Sequence, residues 1–336
     1  MVNRRFAGFI QDRWQGRSPL ILLLMPLSGI YWLASQVRNR LYDLRLLASR
    51  QLPVPVIVVG NITVGGTGKT PLVIWLSLFL RRAGYRPGII SRGYGGRAAV
   101  WPQVLAPNSD PEEVGDEPVL IARRAGCPVV VGPDRVAAAR TLLAAHRCDV
   151  VISDDGLQHR QLARDIEIVV IDGQRRFGNG LLLPAGPLRE PVSRLQRADV
   201  LITQGAAHAG EHSMELRDTG LRNLASGKAC APSEFAGKTV HAVAGIGNPG
   251  RFFARLRGLG LEVREHPFPD HYRFRPEDLR FGDDAPVIMT EKDAVKCERF
   301  ARSDYWFLGV EVCPDPGVGA LILELLKEKC GGQETA

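Results

Sequence analysis

The sequence of 336 residues predicts an α/β protein: a doubly wound, mostly parallel sheet, preceded by a hydrophobic helix and followed by a second, smaller α/β domain. Three observations predict it. Short, solidly apolar, β-branched runs alternate with longer helical patterns, as strands buried on both faces of a parallel sheet require. One of those runs feeds a glycine-rich loop that opens a helix. Near the N-terminus, no charged residue occurs between Ser18 and Val37.

That uncharged stretch comes first along the chain. It is long enough to cross a bilayer, for which about 20 residues suffice. Arg4, Arg5, Arg13 and Arg17 precede it, and Arg38, Arg40, Arg45 and Arg50 follow. Basic residues on both flanks leave its orientation open, and Pro26, Ser28 and Gly29 interrupt it. Residues 1–50 therefore read as a membrane-associating helical segment, either spanning or lying in the interface.

Strands are expected at Val54–Val59, Gly88–Ser91, Pro128–Val131, Asp149–Ser153, Ile166–Ile171 and Asp199–Thr203, with helices such as Pro71–Ala83 and Arg135–His146 between them. They make residues 51–235 a core domain. Ala206–Ser233 loses this periodicity, collects Gly, Ala, His and Ser, and reads as a linker or an irregular excursion. Residues 236–336 start again as a smaller α/β unit: strand Val240–Ala244, a glycine-rich turn, a helix from Arg251, strands Pro286–Met289 and Trp306–Val312, and a closing helix Val318–Lys329.

The formal charge of +7 favours anionic partners, but it is dispersed and no aromatic–basic stripe accompanies it, so no nucleic-acid partner is expected. The six cysteines show no C-x-x-C spacing, which argues against a zinc site or a disulfide framework and for a reducing compartment.

The chemistry is concentrated in Val54-Pro-Val-Ile-Val-Val-Gly-Asn-Ile-Thr-Val-Gly-Gly-Thr-Gly-Lys-Thr70. A strand, a loop (Thr63, Val64, Gly65, Gly66, Thr67, Gly68) and a helix opened by Lys69, Thr70 and Pro71 make a P-loop, and the whole an NTPase-like fold. The glycines let backbone amides face phosphates, Lys69 brings a point charge, and the Thr70 hydroxyl suits Mg²⁺. Thr63 stands where the strict pattern has glycine. A second strand ends in Asp154-Asp155-Gly, delivering two carboxylates to the sheet edge for the metal or its water.

Further stretches carry a resemblance: Ser91-Arg-Gly-Tyr-Gly-Gly96, Val114-Gly-Asp-Glu-Pro118, Leu183-Pro-Ala-Gly-Pro-Leu-Arg-Glu-Pro191, Phe268-Pro-Asp-His-Tyr272 and Thr290-Glu-Lys-Asp293. With Asn61–Thr70 and Asp154–His159, in this order, they resemble the tetraacyldisaccharide 4'-kinase family of lipid A synthesis over nearly the whole chain. The resemblance implies transfer of the γ-phosphate of ATP to the 4'-hydroxyl of an acylated glucosamine disaccharide 1-phosphate lipid, giving lipid IVA. It also implies Mg²⁺ and a place on the cytoplasmic face of the inner membrane. By the same carry-over Asp116 is the catalytic carboxylate, His271 its partner and Lys69 the third catalytic group. The residues themselves leave a helix N-cap role open for Asp116. Arg92, Tyr94, Gln158, His159 and Arg189 are candidates for substrate or nucleotide contacts, and Glu190 for the metal or ribose shell. Asp270, Glu291, Lys292 and Asp293 form a second tier. No protein partner is expected. The competing reading is a membrane-recruited P-loop switch ATPase without a lipid acceptor.

Overall fold

The computed structural model describes Trp14 and residues 19–330. Its elements run in chain order as α1 (Pro19–Asp43), β1 (Val56–Gly60), α2 (Lys69–Arg82), β2 (Pro87–Ser91), β3 (Gln103–Val104), α3 (Pro111–Val114), α4 (Asp116–Arg124) and β4 (Val129–Val131). Then come α5 (Arg135–Ala145), β5 (Val150–Asp154), β6 (Ile166–Asp172), β7 (Val200–Gln204), β8 (His212–Asn223), β9 (Ala229–Cys230) and β10 (Thr239–Ala244). The chain closes with α6 (Pro249–Gly258), β11 (Glu262–Pro267), β12 (Val287–Thr290), α7 (Glu291–Cys297), β13 (Tyr305–Pro314) and α8 (Pro316–Cys330), besides short 3₁₀ turns.

The strands form one sheet in the order β11-β10-β12-β13-β8-β7-β6-β1-β5-β2-β4-β3, with β9 on β8. Every residue of β1, β2, β5 and β6 is buried, which explains their largely apolar sequences; the buried Glu167 inside β6 is paired with Arg164 and Arg194. Alternate residues of β1 serve opposite layers. Ile57 and Val59 pack with Leu72, Leu76 and Leu80 of α2 and with Val318, Ile322 and Leu326 of α8. Val56 and Val58 pack with Val136, Ala139 and Leu142 of α5. Each such fully buried side chain contributes ~1.5–3 kcal/mol.

The segment 206–233 is not a linker. Its centre is the 12-residue strand β8, parallel to β7 over three residues and then antiparallel to β13 from Met214 to Asn223. Met214 and Leu221 are buried while Glu215 and Arg222 are exposed, so a one-faced strand hides behind the charged residues. The sheet therefore continues across residue 235 without a break, and the closing helix α8 packs back on the first half. A second pair of cores lies beyond the β8–β13 ribbon, around Phe252, Phe253 and Ile288 on one face and Phe274, Met289 and Tyr305 on the other.

Helix α1 is long and apolar enough to cross a membrane over Ile21–Asp43. Leu22, Leu23, Ile30 and Leu33 are exposed. Its other face docks: the Ser28 hydroxyl donates to the Leu182 carbonyl (2.9 Å) and accepts from the Ala185 amide (2.9 Å). The Tyr31 hydroxyl donates to the Arg189 carbonyl (2.9 Å). The arginines expected to flank the segment at positions 4, 5, 13 and 17 lie outside the described residues.

Candidate active site

The first wall of the site is the loop between β1 and α2. Gly65 (φ 103°) and Gly68 (φ 90°) adopt left-handed backbone, and a Cβ on Gly68 would stand 2.9 Å from Met214. Gly60 answers to packing instead, because a Cβ there would meet Leu157 at 2.6 Å. Asn61 braces the loop from inside, its Nδ2 donating to Thr67 Oγ1 (3.2 Å) and Thr63 Oγ1 (3.4 Å). Thr63, the departure from the strict pattern, bridges to Leu188, and the Val64 amide donates to the Pro187 carbonyl (2.8 Å). Gly68 caps α2 without a side chain, which leaves the first amides of the helix to an anion.

Where β5 ends, Asp155 holds a left-handed φ of 47° and pairs with Lys69 Nζ (3.4 Å) and Arg189 Nη1 (3.1 Å). Burial opposes its ionisation, but Lys69 and Arg189 outweigh burial and hold it below the usual carboxylate range. Asp154 sits one step deeper, 3% exposed, and accepts from Ser91 Oγ (2.9 Å). Burial, then the charges of Glu117 and Asp155, push it up to about 7. Behind them Gln158 donates to Glu190 (2.8 Å) and to the Asn61 carbonyl (3.0 Å), and Glu190 pairs with Arg194 (3.3 Å).

The opposite wall joins α4 to the second half of the chain. Gly115 (φ 97°) holds the N-cap position, so Asp116 is the first residue of α4 rather than its cap; its Oδ1 accepts from the Glu117 amide (2.9 Å). His271, itself left-handed at φ 56°, brings Nδ1 to 2.9 Å from Asp116 Oδ1. The Tyr94 ring lies 5.0 Å from the imidazole. From α7, Lys296 approaches Asp116 Oδ2 (3.7 Å) and pairs with Asp293 (2.6 Å). Burial would raise Asp116, but the His271 hydrogen bond and the ammonium groups of Lys292 and Lys296 hold it well below the usual range.

Both walls face one cleft of about 2170 Å³. The loop 63–70, Tyr94, Asp116, Asp155, Arg189 and His271 line it. Asp154, Arg92, Gln158, His159 and Glu190 do not, standing behind the lining. Arg92 and His159 share a basic neighbourhood with Arg135; burial first, then the Arg135 charge, lower His159 to about 4. The cleft also holds cations that the sequence did not single out. Arg175 reaches the Gly66 carbonyl while Asp172 braces it, and Asp172 also takes Arg251 (3.1 Å). Lys296 is the other; its spacing of four from Lys292 on a helix was the available signal.

A phosphate loop facing a hydrogen-bonded Asp–His pair across one cleft defines a P-loop phosphotransferase. Comparison with known proteins narrows the class. The family described as tetraacyldisaccharide-1-P 4'-kinase matches residues 20–327. The tetraacyldisaccharide 4'-kinase of Nitrosococcus oceani is 54% identical over 323 residues, covering 96% of each chain. That of Alkalilimnicola ehrlichii is 58% identical over 294 residues, covering 87% of this chain and 88% of that one. Among solved structures, LpxK from Aquifex aeolicus in complex with ATP superposes with a TM-score of 0.77 at 32% identity, covering 91% of this chain and 99% of that one. The chain belongs to the tetraacyldisaccharide 4'-kinase family and is an ATP-dependent kinase of lipid A synthesis.

Proposed function

We propose that the cleft transfers the γ-phosphoryl group of ATP to the 4'-hydroxyl of an acylated glucosamine disaccharide 1-phosphate, with Asp116 as the proton acceptor. The observation that carries this reading is that Lys69 and the Asp116–His271 pair line one cleft. The amides of Gly65–Thr70 hold the triphosphate, and Lys69 neutralises its β and γ oxygens. In the transfer the sugar oxygen bonds to phosphorus, the bridging bond breaks with its electron pair going to ADP, and the hydroxyl proton passes to the Asp116 carboxylate. A carboxylate held below its usual range is a weak base, so the proton moves late and Asp116 acts first by orienting the hydroxyl.

The donor set fits Mg²⁺. Thr70 and Asp155 are oxygen donors lining the cleft, and magnesium keeps most of its shell as water and phosphate oxygen. Among the described residues no cluster of three or more Asp, Glu, His or Cys forms a cage, in keeping with that habit. When bound, the ion neutralises charge on the phosphates. Asp154 stands behind Asp155 to orient its water, and Glu190 acts through Gln158 rather than directly. Arg189 positions Asp155, while Arg175 and Arg251 face the phosphates from the loop mouth. Between the core (51–235) and the remainder (236–336), closure of the part that carries His271 would assemble the pair, with α8 staying packed on the core.

Phosphotransfer from labelled ATP to the disaccharide 1-phosphate tests the reading. Lys69→Ala is expected to lose about 10³-fold in kcat/KM; nucleotide turnover unaffected by the acceptor would overturn the lipid-kinase reading. The exposed apolar face of α1 supports a membrane-associated site, and we take the cytoplasmic face of the inner membrane as its place. Flotation with anionic vesicles checks this: Leu23→Glu combined with Ile30→Glu is expected to abolish most binding, and unchanged flotation would refute the anchor.

A further inference from the structure

We infer that Lys292 is a positioning residue that sets the tautomer of His271, keeping the ring proton on Nδ1, where it is donated to Asp116. This rests on the assignment of the Asp116–His271 pair to the transfer. Lys292 Nζ donates to Glu117 Oε1 (2.9 Å) and Asp270 Oδ1 (3.2 Å), and it stands 3.3 Å from His271 Nε2. An ammonium group has donors only, so the nitrogen facing it must be an acceptor. Neutral imidazole offers one donor and one acceptor. Nε2 is thereby the bare nitrogen, and the N–H belongs to Nδ1, 2.9 Å from Asp116 Oδ1.

The groups around the imidazole show what Lys292 opposes. Asp116 contacts Nδ1 from α4, with Glu117 beyond on the far side of Lys292. Asp270, from the same loop as His271, stands 3.8 Å from Nε2. Lys292 and Lys296 come from α7, and the Tyr94 ring packs on the imidazole face. Without Lys292, Asp270 would draw a second proton onto Nε2 and leave an imidazolium beside Asp116. That ring would hold the carboxylate too firmly to accept a proton from the sugar. Lys292 occupies Asp270 and repels the second proton. Its own charge is secure: burial works against it, but Glu117, Asp116 and Asp270 outweigh burial and raise it above the ordinary lysine range.

Two measurements test this on the full chain. Nitrogen-15 NMR of imidazole-labelled protein, read at His271 by difference from His271→Ala, is expected to show a protonated Nδ1 and a bare Nε2 at pH 8. A proton on Nε2 would overturn the inference whatever the activity. The pH profile of kcat/KM is the second. Removing a cation beside an imidazole favours its charged form, so the acid limb of the Lys292→Met profile is expected to lie at higher pH than that of the wild type. Lys292→Arg keeps the charge and is expected to keep the acid limb while kcat falls. A Lys292→Met profile that drops in height with its acid limb unmoved would reduce Lys292 to a structural ion pair. If His271→Ala turns over normally while the wild-type ring shows the expected tautomer, the catalytic assignment fails and the tautomer assignment stands.

Discussion

Asp116, which lines the cleft, and Asp154, which stands behind its opposite wall, are 4% and 3% exposed, yet their acidities move in opposite directions. Burial penalises the charged form of both. Around Asp116 the penalty meets His271, Lys292 and Lys296, and the carboxyl falls below its ordinary range. Around Asp154 it is reinforced by Glu117 and Asp155, and the three together outweigh the Ser91 hydrogen bond and the charges of Lys69 and Arg135, so the carboxyl rises to about 7. Depth therefore decides neither; the sign of the nearest charges does. The acceptor wall is built complete, with its cations supplied by the protein. On the loop side Lys69 and Arg189 go to Asp155, and Asp154 has a neutral hydroxyl, that of Ser91, as its hydrogen-bond donor.

Asp116→Asn is the most severe test of that contrast. It keeps shape and removes the proposed proton acceptor, and kcat/KM is expected to fall by about 10³-fold in the phosphotransfer assay. Asp154→Asn is expected to cost only 10- to about 100-fold, read as a raised Mg²⁺ requirement, as for groups acting behind a metal ligand. The same change relieves like-charge crowding, so the nucleotide-free protein should melt a few degrees higher by calorimetry. A lower melting temperature would break the comparison. The finest test is the stability of Asp116→Asn against pH. A carboxyl whose folded pKa lies below its unfolded value of 3.8 stabilises the fold at every pH above that value, and the contribution disappears as pH falls below it. The gap in melting temperature between wild type and Asp116→Asn should hold steady from pH 8 to 5 and narrow below about pH 4.

The parallel strands were legible because burial on both faces writes itself as a mostly apolar run; the strand expected at Ile166–Ile171 carries one buried charge, Glu167, and ends one residue later, at Asp172. Strand β8 was not. Only one of its faces is buried, and its charged and glycine residues imitate a loop. The phosphate loop was legible because its glycines answer to backbone geometry fixed within a few residues. His271 could be tied to Asp116 only through resemblance, since 155 positions separate them. The cations were harder still: Lys292 reaches Glu117 across 175 positions, and nothing local in either segment reports the other.

The contact of α1 with the loop 182–189 carries a mechanical corollary. The Tyr31 hydroxyl donates to the backbone carbonyl of Arg189, whose guanidinium grips Asp155 in the cleft wall. Arg189 thus seats the helix with its carbonyl and braces Asp155 with its side chain. A displacement of α1 along its axis would therefore be felt at Asp155 through a single residue, which makes the helix a handle on the cleft and not an appendage to it.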